Sequence, residues 1–200
     1  MQYKHGYSIC ISTQVGCRMG CTFCATGKSG FSRNLTASEM LAQIQSAQKD
    51  LGIQISNIVL MGMGEPLDNY QQVLRFLELV SSDEGMNIGM RHISVSTCGI
   101  VDKIYDMANR KLQCTLSVSL HAPNDNLRSQ TMPINKKWGV AQLLKACKYY
   151  SDTTRRRISF EYAMISGLND SDAQAQELAG KLKGILSHVN LIPVNDVTGN

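Results

Sequence analysis

Three cysteines lie within eight residues near the start of this 200-residue chain, in the segment Cys17-Arg-Met-Gly-Cys21-Thr-Phe-Cys24. Thiolates are soft ligands that suit iron–sulfur clusters and zinc. Three thiolates at this spacing can bind three irons of a cubane cluster and leave the fourth iron without a protein ligand. The spacing therefore predicts a [4Fe–4S] site with one open iron.

Two other interpretations of the same cysteines remain open. A structural zinc site needs a fourth close ligand, for which His5 and Cys10 are candidates, although Cys10 falls within a predicted strand. The three cysteines could also be buried without any metal. The chain has seven cysteines, an odd number, which favours reduced thiols and a metal site over a secreted disulfide scaffold.

The composition is that of a folded globular protein, with 43% hydrophobic and 18% charged residues. No apolar run reaches the roughly 18 residues that a membrane span needs, and no secretory leader precedes residue 8. We therefore expect a cytoplasmic protein without a membrane partner. The net charge of +4 permits a nucleic-acid partner without requiring one. The basic runs 136–137 and 155–157 could contact phosphates or simply face solvent.

Strand-like and helix-like segments alternate along the chain. The predicted strands span residues 8–12, 57–61, 92–97, 115–120, 158–164 and 188–192. Helices are predicted between them, one of which opens on the capping box Thr36-Ala-Ser-Glu39, whereas 121–137 is predicted to be a long loop. This alternation indicates βαβ units and a parallel sheet. We expect one domain over residues 1–200, a six-stranded parallel (β/α) partial barrel of the TIM type. A doubly wound open sheet also satisfies the pattern.

Two of the predicted strands alternate between apolar and polar side chains. One face carries Ile93, Val95, Leu116, Val118 and Leu120, and the other carries Ser94, Ser96, Ser117, Ser119 and His121. The outer face of a barrel packs on helices, so the polar set should point inward. A polar interior near the carboxyl ends of the strands is where a barrel enzyme places its active site. A half-exposed antiparallel sheet is the alternative, and the intervening helices make it less favourable.

A glycine-rich segment, Gly62-Met-Gly64-Glu65-Pro66, follows the second of these strands. Glycines let the backbone approach a ligand closely, and the carboxylate of Glu65 is an acceptor for an ammonium group. Alone, the segment could be a plain turn. After the second strand of a chain that carries the cysteine triplet, we interpret it as part of a binding site.

The pattern C-x3-C-x-F-C after a first strand resembles the radical S-adenosylmethionine enzymes. In that superfamily the open iron binds the amino and carboxylate groups of S-adenosylmethionine, and an electron from the cluster breaks the sulfonium bond to give a 5′-deoxyadenosyl radical. Phe23 matches the aromatic residue near the adenine. The resemblance is narrower over six ordered segments that span the chain and together are similar to the dual-specificity ribosomal and transfer RNA adenine-C2 methyltransferases. They are Ser12-Thr-Gln-Val-Gly-Cys17, Met61-Gly-Met-Gly-Glu-Pro66, Ser96-Thr-Cys-Gly99, Ser119-Leu-His-Ala-Pro-Asn-Asp125, Met132-Pro-Ile-Asn-Lys136 and Asn190-Leu-Ile-Pro-Val-Asn195.

The resemblance implies the roles of individual residues. It implies contacts to S-adenosylmethionine from Gly64, Glu65, Ser96, Ser119, Leu120, His121 and Asn195. In the family, one S-adenosylmethionine methylates a cysteine near the C-terminus, and the methyl carbon is then activated by the radical and added to adenine C2. Cys10 matches a second cysteine, which resolves the covalent protein–RNA intermediate by forming a disulfide. The implied partners are ribosomal and transfer RNA and an electron donor such as flavodoxin or ferredoxin, with a monomer as the expected state.

Three parts of the family pattern are not matched in this sequence. These are the methyl-carrying cysteine, the small N-terminal helical domain and a glutamate proposed as a proton acceptor. We therefore expect a fragment of a longer protein, which alone binds the cluster and S-adenosylmethionine but does not methylate RNA by the family route. Methylation at adenine C8, another radical reaction, and a zinc-stabilised RNA-binding module are the alternatives.

Overall fold

The computed structural model describes residues 2–3 and 6–193, and its centre is a curled sheet with six parallel strands. A short first strand, β1 (Gln2–Tyr3), pairs antiparallel with β2 (Gly6–Cys10) at the edge. The parallel strands are β2 (Gly6–Cys10), β5 (Ile55–Leu60), β6 (Ile93–Thr97), β7 (Thr115–Ser119), β8 (Ile158–Met164) and β9 (Ser187–Pro193), in that spatial order. Each strand is added on the same side of the one before it, whereas the strand order of a doubly wound sheet reverses. The predicted six-stranded partial barrel is confirmed.

Helices connect successive strands. They are α2 (Ala37–Leu51), α3 (Tyr70–Ser81), α4 (Val101–Asn109), α6 (Val140–Thr154) and α7 (Asp172–Leu182). The predicted capping box is present at the start of α2, where Thr36 Oγ1 accepts from the amide of Glu39 at 3.3 Å and Glu39 Oε2 accepts from the amide of Thr36 at 2.9 Å. Across the described residues, every helix is too short or too polar to cross a membrane.

The two faces of the sheet differ as the alternation predicts. Ile93, Val95, Leu116 and Val118 are fully buried in the apolar core that the strands share with the helices. On the other face the register aligns serines of neighbouring strands, since Ser96 pairs with Ser117 and Ser117 with Ser159. Residues paired in adjacent parallel strands share a face. The core therefore lies between sheet and helices, and the concave side of the sheet is lined by polar residues.

The segment 121–137 is not a loop, and this prediction was wrong. It contains the helix α5 (Asp125–Thr131) and a 3-10 helix (Pro133–Lys136). The helix begins after Asn124, whose Oδ1 accepts from the amide of Leu127 at 3.1 Å. Its seven residues are too few to show a helical period, and the two prolines that suggested a loop stand just outside its ends.

A two-stranded antiparallel hairpin, formed by β3 (Gln14–Gly16) and β4 (Phe31–Asn34), was not predicted from the sequence. The hairpin brings the two ends of the segment 17–30 together, and there the amide of Cys17 donates to the carbonyl of Gly30 at 2.8 Å. The short helix α1 (Ala25–Lys28) follows Cys24 within that segment. Strands of three and four residues carry too little pattern to be recognised, yet this hairpin positions all three cysteines.

Candidate active site

A cavity of about 240 Å³ lies at the carboxyl ends of the strands and brings most of the predicted site residues together. Its wall includes Cys17, Cys21, Cys24, Gly64, Glu65, Ser96, Ser119 and His121. Leu120 is buried next to this wall, and its amide donates to the carbonyl of Glu161 at 3.0 Å. Asn195, like the zinc-ligand candidate His5, lies outside the described residues.

Cys10 is placed differently from the other site residues. Its register partner is Val59, which in turn pairs with Ser94, so Cys10 belongs to the concave face as expected. The side chain is exposed, and Cys10 is not among the described residues that line the cavity. The fold therefore presents Cys10 as an accessible thiol on the site side of β2.

A larger cleft exists on the outer surface along α3, with a volume of about 980 Å³. Exposed charged side chains such as Arg75, Glu78 and Arg110 line it, and no described cysteine or histidine does. Volume alone would point to this cleft. The chemistry of the lining residues points instead to the smaller cavity.

The thiols of Cys17, Cys21 and Cys24 are partly buried. Burial, with smaller contributions from the neighbouring thiols of Cys24 and Cys17 and from Glu65, raises the pKa of Cys21 to about 12. Burial also raises the pKa of Cys17. Gathering three thiolates here is unfavourable unless a cationic metal core is present. Their soft donor set therefore fits an iron–sulfur cluster.

The described residues contain no group of three histidine, cysteine or acidic side chains close enough to hold a single metal ion. A cubane cluster does not need three side chains around one metal ion, because each thiolate binds a different iron. The three cysteines occupy one short segment, and the amide of Cys24 donates to the carbonyl of Cys21 at 3.2 Å. The amide of Thr22 donates to Thr131 at the end of α5 at 3.0 Å, which fixes the segment against the barrel.

Glu65 is a buried carboxylate in the cavity wall. Its Oε1 accepts from the amide of Leu67 at 2.9 Å, and its Oε2 accepts from the amide of Cys98 at 2.7 Å. Burial raises the pKa of Glu65, and no described lysine or arginine forms an ion pair with it. A carboxylate held only by neutral donors retains acceptor capacity for a cationic ligand.

The glycine-rich segment is held against the hairpin by Gln14. The side chain of Gln14 accepts from the amide of Glu65 at 2.8 Å and donates to Asn34 and Asp68, each at 2.8 Å. Gly64 has φ +105°, and a Cβ there would lie 2.6 Å from Cβ of Gln14. Only glycine permits this backbone conformation and this close approach. Gln14 belongs to the segment 12–17, but it was not predicted as a site residue, because the sequence gives no signal of its bonds to Glu65 and Asp68.

Asp68 and Asn69 are residue types that often cap a helix, but their side chains have other partners at the start of α3. The side-chain Nδ2 of Asn69 donates to the carbonyls of Thr13 and Leu35 at 2.8 Å and 2.7 Å. Asp68 pairs with Arg18 of the cysteine segment at 2.8 Å. Both side chains therefore join the start of α3 to the hairpin region instead of capping the helix.

His121 is buried at the end of β7 in a left-handed backbone conformation, with φ +56°. Its Nδ1 accepts from the amide of Ala163 at 2.9 Å, so the neutral ring carries its proton on Nε2. Burial lowers the pKa of His121 to about 4, with a further contribution from Arg128. The ring meets Phe23 edge to face, with centroids 4.8 Å apart. The neutral imidazole is therefore a fixed hydrogen-bond donor beside the cavity.

Glu161 is a further buried carboxylate in the wall, and it was not predicted. Its Oε1 accepts from Ser159 Oγ and its Oε2 accepts from the side-chain Nδ2 of Asn190, both at 2.7 Å. The strand sequence Ile158-Ser-Phe-Glu-Tyr alternates as β7 does, so the same argument would have placed Glu161 on the concave face. The basic run 155–157 immediately precedes β8 and so lies at the opposite end of the strand from the cavity.

Comparison with known proteins gives a consistent result. The model of the Radical SAM superfamily matches residues 11–179. The whole chain is 56% identical to a "probable dual-specificity RNA methyltransferase RlmN" of Clostridium novyi and 58% identical to the protein of the same name in Clostridium botulinum. In both cases the chain spans 58% of the relative's length.

Solved structures show the same relationship. A radical SAM methyltransferase from Sphaerobacter thermophilus superposes with a TM-score of 0.95 at 49% identity, covering all of this chain and 60% of that one. Streptococcus suis SuiB bound to S-adenosylmethionine gives a TM-score of 0.64 at 17% identity, over 96% of this chain and 40% of that one, which is a likeness of fold. The family match extends over most of the sequence, and the chain therefore belongs to the radical SAM superfamily.

Proposed function

We propose that this chain binds a [4Fe–4S] cluster through Cys17, Cys21 and Cys24 and cleaves S-adenosylmethionine at the cavity. Membership of the superfamily implies an iron–sulfur cluster and S-adenosylmethionine. The observation that carries the proposal is that the three thiols line the same cavity as the predicted ligand contacts. We propose that residues 1–200 form the core domain that carries out this chemistry.

When bound, the cluster would supply the electron that breaks the sulfonium bond and yields the 5′-deoxyadenosyl radical. The protein's own contribution is to bind and orient. Glu65 offers a buried carboxylate to the ammonium group, and the glycine at position 64 leaves room for the ligand beside the backbone. Ser96 and Ser119 offer hydroxyls. His121 and Phe23 form the edge-to-face pair that we assign to the adenine side, with Leu120 and Asn195 as the remaining proposed contacts.

We further propose that the whole protein methylates C2 of adenine in 23S ribosomal RNA and transfer RNA. Support comes from the relatives named dual-specificity RNA methyltransferases, which match the full length of this chain at 56% and 58% identity. Cys10, exposed on the site side of β2, is proposed to resolve the covalent RNA intermediate. The proposed setting is a cytoplasmic monomer that receives electrons from a flavodoxin or ferredoxin.

The cluster proposal is tested by the variant Cys21→Ala. We expect about four irons per chain in the anaerobically reconstituted protein and none in the variant, with loss of 5′-deoxyadenosine formation. Loss of an outer-shell partner alone costs about 10–100-fold, so the loss of a ligand should exceed ~100-fold.

The matched control is Cys147→Ala, because Cys147 is a fully buried cysteine on α6 that does not line the cavity. This variant should keep its iron content and its 5′-deoxyadenosine formation. Zinc in place of iron in the native chain, without the visible absorption of an iron–thiolate cluster, would overturn the cluster proposal.

The RNA proposal is tested in cells from which the gene has been deleted and then restored. Mass spectrometry of digested ribosomal and transfer RNA should show 2-methyladenosine disappear on deletion and return on restoration. A change in 8-methyladenosine would instead assign the reaction to C8. Unchanged methyladenosines in both RNAs would contradict the RNA substrate.

A further inference from the structure

Arg128 is a buried cation that the proposed chemistry does not use. It lies in α5 and has no exposed surface. It is the only lysine or arginine in the described part of the chain that is buried. Burying an unpaired charge costs several kcal/mol in a protein, so the fold must offer compensation for this one.

The guanidinium is bonded to neutral acceptors. Its Nη2 donates to the carbonyls of Cys98 at 2.6 Å and Ser119 at 3.0 Å, and its Nε donates to Leu120 at 3.1 Å. Its Nη1 donates to Oδ1 of Asn135 at 3.1 Å. No carboxylate among the described residues forms an ion pair with Arg128. The carbonyl dipoles fix the position of the guanidinium but leave its full positive charge in place.

Two of the carbonyl groups that Arg128 binds belong to residues of the cavity wall, Cys98 and Ser119. Cys98 lines the same cavity as Cys21. The end of α5 is bonded to the cysteine segment through Thr131 and Thr22.

We propose that Arg128 is the buried counter-charge of the iron–sulfur cluster and raises the reduction potential of that cluster. The inference rests on the proposed cluster site. A cluster core with a 2+ charge, held by three thiolates, is negative overall, and reduction by one electron makes it more so. A fixed cation nearby therefore stabilises the reduced form more than the oxidised form. Arg128 also acts as a positioning residue, because it ties the ends of β6 and β7 to α5.

The alternative is a purely structural arginine that satisfies four acceptors. Such a residue would affect folding, and its charge would leave the cluster potential unchanged. The two roles are separated by a variant that keeps the charge and one that removes it. Arg128→Lys keeps a cation but loses the planar guanidinium group with its several donors. Arg128→Gln keeps hydrogen bonding and removes the charge.

The experiment is an anaerobic redox titration of the reconstituted full chain, without S-adenosylmethionine, followed by the electron paramagnetic resonance signal of the reduced cluster. At the midpoint potential of the native protein, we expect Arg128→Gln to lower the ratio of reduced to oxidised cluster at least ~10-fold, which is ~59 mV for one electron. Arg128→Lys should remain within ~3-fold of the native ratio, although it melts at a lower temperature. The control Arg75→Gln, an exposed residue of α3 paired with Glu78, should leave the ratio unchanged.

A native midpoint in Arg128→Gln would overturn the inference, as would an equal shift in Arg128→Lys and Arg128→Gln. If Arg128→Gln does not fold, Arg128→Lys decides alone, and a 10-fold or larger fall in its ratio contradicts the assigned role of charge. A native chain that takes up no iron would overturn the proposed cluster site and this inference with it. If the native chain binds the cluster but substitution of Arg128 leaves the reduction potential unchanged, this inference is overturned and the proposed cluster site stands.

Discussion

Charged residues around the cavity differ in burial and in bonding partners from those on the outer helical surface. Around the cavity, Glu65, Glu161 and Arg128 are buried and bonded to neutral partners. On the helices, charges occur as exposed ion pairs such as Arg75 with Glu78 and Lys148 with Asp152. Exposed pairs contribute little to stability and cost little to form. Buried charges without counter-ions are costly, and their concentration at one site indicates that a ligand completes the charge balance.

Glycines offer the sharpest test of this contrast between the two regions. We expect Gly64→Ala to destabilise the protein by about 3 kcal/mol or more, because φ +105° is unsuited to alanine and the new Cβ would meet Gln14 at 2.6 Å. It should also weaken binding of S-adenosylmethionine. Urea unfolding and equilibrium dialysis of the reconstituted protein measure the two effects.

The matched control is Gly180→Ala on α7, where nothing lies within 4 Å of the added Cβ. Alanine is the better helix former, so this variant should gain about 0.5–1 kcal/mol. A Gly64→Ala variant as stable as the native protein would contradict the contrast between the two regions. The cavity wall would then accept an added Cβ as readily as the surface does.

The pH dependence of stability should distinguish the buried histidine from exposed titrating groups. Burial lowers the pKa of His121 to about 4, from an ordinary value of 6.5. The neutral ring therefore contributes stability that is fully present above pH 6.5 and is lost as the pH falls toward 4. Between pH 7.5 and pH 5 the loss should be about 2 kcal/mol, as measured by urea unfolding at both values.

The variant His121→Asn separates this effect from other titrations. Asparagine tolerates the left-handed conformation of residue 121 and has no proton to gain in this range. The difference in stability between the native protein and the variant should shrink by about 2 kcal/mol over the same pH interval. A difference that is independent of pH would mean that His121 is not held neutral by the cavity.

Much of the fold was predictable from the sequence because strand and helix periods are local. The six parallel strands, the capping box of α2 and the concave face with Ser96, Ser119 and His121 all follow from patterns of a few residues. The cysteine triplet and the glycine-rich segment each show as motifs. Their meeting in one cavity follows from the rule that loops after parallel strands gather at one end of the sheet.

The missed parts depend on contacts between residues far apart in sequence. Gln14 bonds Glu65 and Asp68 across more than fifty positions, and Arg128 holds the carbonyl of Cys98 from thirty positions away. The helix α5 is too short for a period, and its arginine gains its role only from the carbonyls that surround it. Glu161 is a different case, because its alternating strand contained the signal.

The smallest expected effect concerns Glu39, a residue of the outer surface. Its carboxylate is bonded to Arg33 at 2.7 Å and 2.9 Å and accepts from the amide of Thr36. The hydrogen bond from Arg33 comes first among the causes that lower the pKa of Glu39 to about 2. A lowered carboxyl pKa means that the stabilising contribution is present above about pH 4.5 and is lost as the pH falls toward 2.

Because Glu39 lies at the exposed end of α2, solvent and salt should screen most of its contribution. Glu39→Gln can keep the bond to Thr36 while losing the charge. We expect it to lower the melting temperature slightly at pH 7, by less at high salt, and to leave cluster content unchanged. A carboxyl titration by nuclear magnetic resonance should show the low pKa directly. A loss of stability as large as that of Gly64→Ala would contradict the comparison, because an exposed ion pair would then matter as much as the cavity wall.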